Sequence, residues 1–255
     1  MNNTLIKIIS PFKSWVTVDT RILGIYRIFF GLLVFADIFR RWETRHIFYS
    51  AKGVYPMTPP SSTYKSFSLM HTFNSSWEID VLFIIGLFFS ILLILGYKTK
   101  LSHFIAGVIL ISMHNRVVLV ENAGDFVLNC MIVWSFFLPL GAAISLDSLK
   151  RSLHSLNEYN TEALNNRSEH SYHDYKYCTI AYFAILFQIA AIYFFTGLNK
   201  NGADWMSGTA VHYMYQLDTF LTPFGFFIRN YVGVLFSKVA TYGTLALELT
   251  VPILL

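Results

Sequence analysis

Residues Ile79–Gly96, IDVLFIIGLFFSILLILG, form an almost unbroken apolar run that ends on the basic turn Tyr97-Lys98-Thr99-Lys100. About 18 or more such residues is the length a helix needs to cross the hydrocarbon core of a bilayer. The turn is too short to lead anywhere but back. The next apolar stretch, Leu101 to about Val120, must therefore lie antiparallel beside the first. Upstream, Ile22–Phe39 reads as another span, bounded by Arg21 and by Arg40-Arg41. It begins too late, and carries Arg27 and Asp37 too deep inside it, to be a cleavable signal peptide. Downstream come Phe126 to Leu146, which Pro139 and Gly141 should kink or end early, and Cys178 to Leu198. A last span starts near Val239 and is still apolar at Leu255, as expected of a C-terminus cut within its span.

The expected fold is therefore all-α: a polytopic integral membrane helical bundle of about six transmembrane segments, in a single domain over residues 1–255. Composition agrees. Of 255 residues 55% are hydrophobic and only 13% charged, against roughly a quarter charged in a soluble domain. The net charge of +4 fits lysines and arginines flanking spans, so the expected partner is the lipid bilayer and no nucleic acid. Lys and Arg divide evenly between the two sides, and the lysine turn with the basic stretch before Cys178 favours a cytoplasmic N-terminus. The segments between spans are polar. Asp147–Tyr177 reads as a solvated loop or surface helix, and Pro223–Phe236 as a shallow helix. Cys130 and Cys178 fall in or beside spans, so a disulfide is not indicated.

Charged groups inside spans are costly unless paired or facing an internal cavity. Arg27 and Asp37 lie ten residues apart in one span, on one face but too far apart to pair directly. Glu121, Asn122 and Asp125 sit at the next junction, close in sequence to Arg116. Two readings stand. One is an interhelical ion pair of Arg27 or Arg116 with Asp37, Asp125 or Glu248. The other is a polar pocket open to one membrane face. His114 reads as a hydrogen-bonded packing residue or as a ligand or base. His170, His173 and Asp174 could hold zinc at their spacing, but this stretch reads as a solvated face, and no metal is expected.

One stretch is more specific: Tyr193-Phe194-Phe195-Thr196-Gly197-Leu198-Asn199-Lys200-Asn201-Gly202-Ala203-Asp204-Trp205-Met206-Ser207-Gly208. It resembles the Y-F-x-A-G-x-K-K-x-x-A-D-W-x-x-G signature of the vitamin K-dependent γ-glutamyl carboxylases and of the HTTM (horizontally transferred transmembrane) domain proteins related to them. Further likenesses run through nearly the whole chain. They are Arg27-Ile28-x-x-Gly31 with Asp37, Ser145-Leu146-Asp147-Ser148-Leu149, Leu221-Thr222-Pro223-Phe224 and the acidic Glu248 of the last span.

The resemblance implies chemistry at a membrane surface. Its substrates would be reduced menaquinone or vitamin K hydroquinone, with O2 and CO2, and a secreted peptide or protein. In the carboxylases the second lysine of the pair deprotonates the hydroquinone. Lys200 stands at that position, with Asn199 in place of the first lysine. The implied catalytic residues are Lys200 and Asp125, with Asn122, His114, Asp204 and Trp205 around the quinol. Arg27, Asp37, Arg116 and Glu248 would be structural. By position alone, Lys200 could equally snorkel at a span end. Asp125 stands where the carboxylases carry the histidine of an Asn-His pair, and Asn122-x-Gly124-Asp125 matches the HTTM pattern instead. His114 is eleven residues upstream, too far to substitute without a rearranged loop. The luminal domain that holds the peptide in the carboxylases would begin beyond this sequence. These departures put glutamate carboxylation in question more than hydroquinone epoxidation. The alternative is a non-catalytic HTTM subunit for maturing or exporting a secreted peptide; a transporter fits less well, with no inverted repeat in view. Short HTTM chains are mostly bacterial, so the resemblance also implies a bacterial plasma membrane.

Overall fold

The computed structural model describes residues 16–54, 67–163, 175–229, 231 and 233–255. The chain divides into two compact units, Met1–Phe183 and Ala184–Leu255. In the first unit strand β1 (Thr17–Asp19) leads into α1 (Thr20–Arg40), and α2 (Ser76–Leu95) and α3 (Thr99–Arg116) follow. A 3-10 turn at Val118–Val120 precedes α4 (Ala123–Ser135) and α5 (Leu146–Ala163), and β2 (Lys176–Cys178) opens into α6 (Ile180–Asn199). Most of α6 belongs to the second unit. There it is followed by short helices at Ala203–Met206, Ala210–Met214 and Pro223–Arg229, and by α7 (Val234–Leu254).

Local chemistry explains the boundaries. The Asp19 carboxylate accepts from the Arg21 backbone N–H at 2.8 Å and caps α1. Ser75 and Glu78 form a capping box at the start of α2, with the Ser75 N–H donating to Glu78 Oε2 at 2.9 Å. At its other end α2 stops on Gly96, whose φ of 70° is the left-handed conformation glycine adopts freely. The fourth apolar segment ends rather than kinks. Its helix stops at Ser135 ahead of Pro139, because proline restricts the residue before it and offers no N–H. Helix α3 ends at Arg116, short of the expected Val120. The last helix begins at Val234, earlier than expected, and of the stretch expected to be one helix, Pro223–Phe236, Pro223–Arg229 forms a separate short helix.

Helices α1, α2 and α3 pack into one core, with Phe30, Val34, Ile38, Phe83, Leu93, Leu110 and Met113 buried in it. At the α1–α2 crossing a Cβ on Gly31 would come within 2.8 Å of Ile94 Cγ1, so only glycine allows this approach. Helices α1, α2 and α6 are long and apolar enough to cross a membrane. By contrast α3 carries Lys100, His103, His114 and Arg116, and α4 has only 13 residues.

The strands set the topology. β1 and β2 pair antiparallel, with Thr17 opposite Cys178 and Asp19 opposite Lys176. The Thr20 N–H donates to the Tyr175 carbonyl at 2.8 Å and the Thr179 N–H to that of Val16 at 2.7 Å. The first residues of α1 and α6 are thereby tied side by side. Cys130 and Cys178 are both free thiols. The expected surface segment is the helix α5. His170, His173 and Asp174 lie outside the described residues.

Asp147 locks the α2–α3 turn to the start of α5. Its carboxylate accepts from the N–H of Lys98 at 2.9 Å, and from the N–H and hydroxyl of Thr99 at 2.8 and 2.7 Å. Burial pushes this carboxyl up, but the bonds from Thr99 and Lys98 pull it further the other way, to below its ordinary value of 3.8. A depressed native value means stability that is complete above about pH 3.8 and is lost as the pH falls through the native value. Asp147→Asn is expected to cost about 1–2 kcal/mol at neutral pH. It should also flatten the acid limb of a melting-temperature profile between pH 5 and 2; an unchanged limb would refute this role.

Candidate functional site

Asp37 is the buried centre of the first unit's polar cluster. It sits in the last turn of α1, with Arg40 and Arg41 three and four residues on, and that spacing places all three on one face. Arg41 pairs with Asp37 directly, and its Nη2 reaches Asp125 Oδ2 at 3.1 Å. Arg40 Nη2 lies 2.7 Å from Asp37 Oδ1 and 3.0 Å from Asp125 Oδ1. His114, on α3, places Nε2 at 2.9 Å from Asp37 Oδ2 and Nδ1 at 2.8 Å from Asn129 Oδ1. Asn122 caps α4, and the second half of its capping box is the Asp125 carboxylate, which accepts the Asn122 N–H at 3.0 Å. Asp37, His114 and Asp125 are all buried.

Two groups beside this network feel its burial. Burial pushes the Tyr49 phenol up to about 12. It also raises the Glu121 carboxyl, with Asp125 and Asp37 adding to the effect and His114 and Arg41 opposing it.

The ligating atoms of Asp37, His114 and Asp125 lie within 4.8 Å of one another, compact enough for a metal ion. The donor set argues otherwise. Two guanidinium groups already neutralise the two carboxylates, and both imidazole nitrogens face oxygen partners. The arrangement is a buried ion-pair network. It forms the polar end of a cleft of about 580 Å³ whose other walls include Tyr26, Phe30, Leu33, Leu128 and Met131. The Tyr26 hydroxyl is buried and has no hydrogen-bond partner among the described residues.

Sequence separation misled on His114. Eleven residues looked too far from Asp125, yet its Nε2 lies 3.9 Å from Asp125 Oδ1, because α3 and α4 meet across the short 3-10 turn. The acidic groups also have different partners from those expected. Asp37 and Asp125 take Arg40 and Arg41, which had read as the charges bounding the first span, and Glu248 takes Lys200. Arg27 instead donates to carbonyls: Nη2 to Ile144 at 2.7 Å and Ile94 at 3.2 Å, and Nη1 to Leu140 at 3.4 Å. Arg116 is buried at the end of α3. Sequence reasoning missed Arg40, Arg41 and Asn129. The i, i+3, i+4 spacing from Asp37 was the available signal for the two arginines; Asn129 had none.

Lys200, Asp204, Trp205 and Glu248 belong to the second unit. Lys200 follows the last residue of α6, forms an ion pair with Glu248 of α7, and lies over the Trp205 ring at 4.8 Å. Glu248 is nine-tenths buried, and its second carboxylate oxygen is buried with no hydrogen-bond partner among the described residues. Gly197 makes room for this, since a Cβ there would stand 3.3 Å from Glu248 Cβ. Asp204 is exposed, and its backbone carbonyl accepts the Thr209 N–H at 2.8 Å.

No curated protein and no solved structure matches the chain. The HTTM domain family model does, over residues 15–255. With that match, its membrane-length apolar helices and the Lys200–Trp205 motif in place, the protein belongs to the HTTM family of integral membrane proteins.

Proposed function

We propose that this HTTM protein is a membrane enzyme that performs acid–base chemistry on a lipid-soluble quinol, with Lys200 as the base. The observation that carries the reading is the Lys200–Glu248 pair. The lysine at the position that the carboxylase resemblance marks as the base here meets a buried carboxylate that has one oxygen without a hydrogen-bond partner among the described residues, so two groups able to exchange a proton with a substrate hydroxyl stand side by side. The Trp205 ring lies against the Lys200 ammonium at 4.8 Å, beside the apolar end of α6. A quinol such as reduced menaquinone or vitamin K hydroquinone supplies the acidic hydroxyl, and its oxygenation would need O2. CO2 and a peptide glutamate come in only if carboxylation follows. The cleft beside Asp37 and Asp125 suits the same amphiphilic substrate class.

The same reading has α3, α4 and α7 completing about six crossings and the N-terminus facing the cytoplasm of a bacterium. Six basic residues cluster at the end of the first unit where α1 begins: Arg21, Lys98, Lys100, Lys150, Arg151 and Lys176. A second reading is supported by the same pair. Held between Glu248 and Trp205, Lys200 could brace α6 to α7 in a non-catalytic subunit that serves a secreted peptide.

Oxygen uptake by the purified protein in lipid with reduced menaquinone separates the two. The enzyme reading expects uptake that falls about 10²–10⁴-fold in Lys200→Ala. The double variant Lys200→Met/Glu248→Leu leaves no buried charge behind, and it should be equally inactive yet melt like wild type. Silence in wild type and variants alike would leave the brace.

A further inference from the structure

We infer that α5 lies in the plane of the membrane interface, with its leucines in the acyl region of the leaflet beside the start of α1. This inference does not depend on the reaction proposed above. Leu146, Leu149, Leu153 and Leu156 recur at i, i+3, i+7 and i+10, a stripe about 80° wide at 100° per residue. In a helix packed on a soluble core such a stripe faces inward. Here it faces out. All four leucines are 43–57% exposed.

The polar face does the packing. Arg151 stands about 180° round the helix from the middle of the stripe. It donates to the carbonyls of Gly141 and Ala142. Asp147 holds the backbone of Lys98 and Thr99, and the Ser148 hydroxyl donates to the Ser145 carbonyl at 2.8 Å. Arg151, Ser152 and Ser155 line a cleft together with Thr20 and Tyr175. A helix that turns its polar side to its own protein and its apolar side outward is upside down for water. For lipid it is the right way up.

Two attachments fix the depth of α5. The Asp147 N–H donates to the Gly96 carbonyl at 3.0 Å, which holds the first turn of α5 against the end of α2. The cleft on its polar side reaches Thr20, where α1 starts. Both α1 and α2 are of membrane length, so α5 runs at the level where they leave the bilayer. Lys98, Lys100 and Lys150 are exposed at the same level. Lipid phosphates meet these lysines with opposite charge, whereas a second copy seated on the stripe would bring lysine-bearing surfaces of one sign together. That favours lipid as the cover.

The test is a nitroxide scan of the full chain in vesicles of phosphatidylglycerol and phosphatidylcholine, with Cys130→Ser and Cys178→Ser removing the native thiols. Labels are attached through Leu149→Cys, Ser152→Cys, Leu153→Cys, Ser155→Cys and Leu156→Cys in turn. At 149, 153 and 156 the label is expected to collide more often with dissolved oxygen than with a water-soluble nickel chelate. At 152 and 155 the preference should swing to nickel. Each labelled protein should melt like the unlabelled chain, which separates depth from misfolding. Nickel preferred at all five positions would overturn the proposal, since the stripe would then lie in water. Exclusion of both reagents from 149, 153 and 156 would also overturn it, by showing that protein covers the leucines; dipolar broadening between copies would then identify a dimer.

Discussion

Replacing Asp37 by asparagine is expected to destabilise the folded protein by about 3–5 kcal/mol, the range for a buried ion pair broken from one side. Asp37 and Arg41 are both about nine-tenths buried, and Arg40 and His114 also point at the same carboxylate. Without that charge, Arg41 keeps the Asp125 carboxylate at 3.1 Å, while at position 37 it meets only neutral acceptors, the backbone carbonyl at 3.3 Å and the amide oxygen. A guanidinium cannot shed its proton to escape, so the whole penalty falls on the fold. Arg40→Ala is the contrast. Its side chain is half exposed, and solvent screening should hold the loss to about 1 kcal/mol or less. Thermal melts in lipid check both values. The double variant Asp37→Leu/Arg41→Met should recover part of the loss, because it removes the stranded guanidinium and leaves Asp125 its contact with Arg40, although His114 Nε2 loses its 2.9 Å partner. If Asp37→Asn proved as mild as Arg40→Ala, the network would not be a stabilising centre.

Arg27→Met is the second change expected to be severe, at about 3 kcal/mol or more. Arg27 is 1% exposed and gathers three carbonyls, from Ile94 at the end of α2 and from Leu140 and Ile144 in the segment after α4. Each carbonyl stranded in a dry interior costs about 1–3 kcal/mol, and the methionine would offer none of them a donor. Gly96→Ala should do comparable damage by two routes. Its φ of 70° strains any residue with a Cβ, by roughly 1–2 kcal/mol, and the added methyl would overlap the Arg27 guanidinium. The two variants act on one joint, so their combination should cost clearly less than the sum of the single losses. Strict additivity in the double-mutant cycle would show that Gly96 matters for the turn alone.

The elements that were legible in the sequence are those governed by local rules. Membrane-length helices at Thr20–Arg40, Ser76–Leu95 and Ile180–Asn199 follow from uninterrupted apolar runs, because the bilayer demands length and apolarity before any tertiary contact forms. The lysine turn after Gly96 dictated the antiparallel pair, and Pro139 marked the end of α4. The family was legible from the Lys200–Trp205 motif, which a match over residues 15–255 supports.

The partners of the polar residues were decided only by the tertiary structure. Arg27 binds carbonyls that no residue pattern advertises. His114 meets Asp37 from 77 positions away, and Lys200 finds Glu248 from 48 away. Which charge sits against which depends on how helices cross and where glycines such as Gly31 let them close up, and that is a property of packing. Sequence by itself determined that this chain must live in a membrane as helices, since water and lipid impose that choice segment by segment. Where its buried charges are neutralised, and therefore where chemistry could occur, was settled only when the helices came together, because a charge in a dry interior is stable only beside the partner that the fold brings to it.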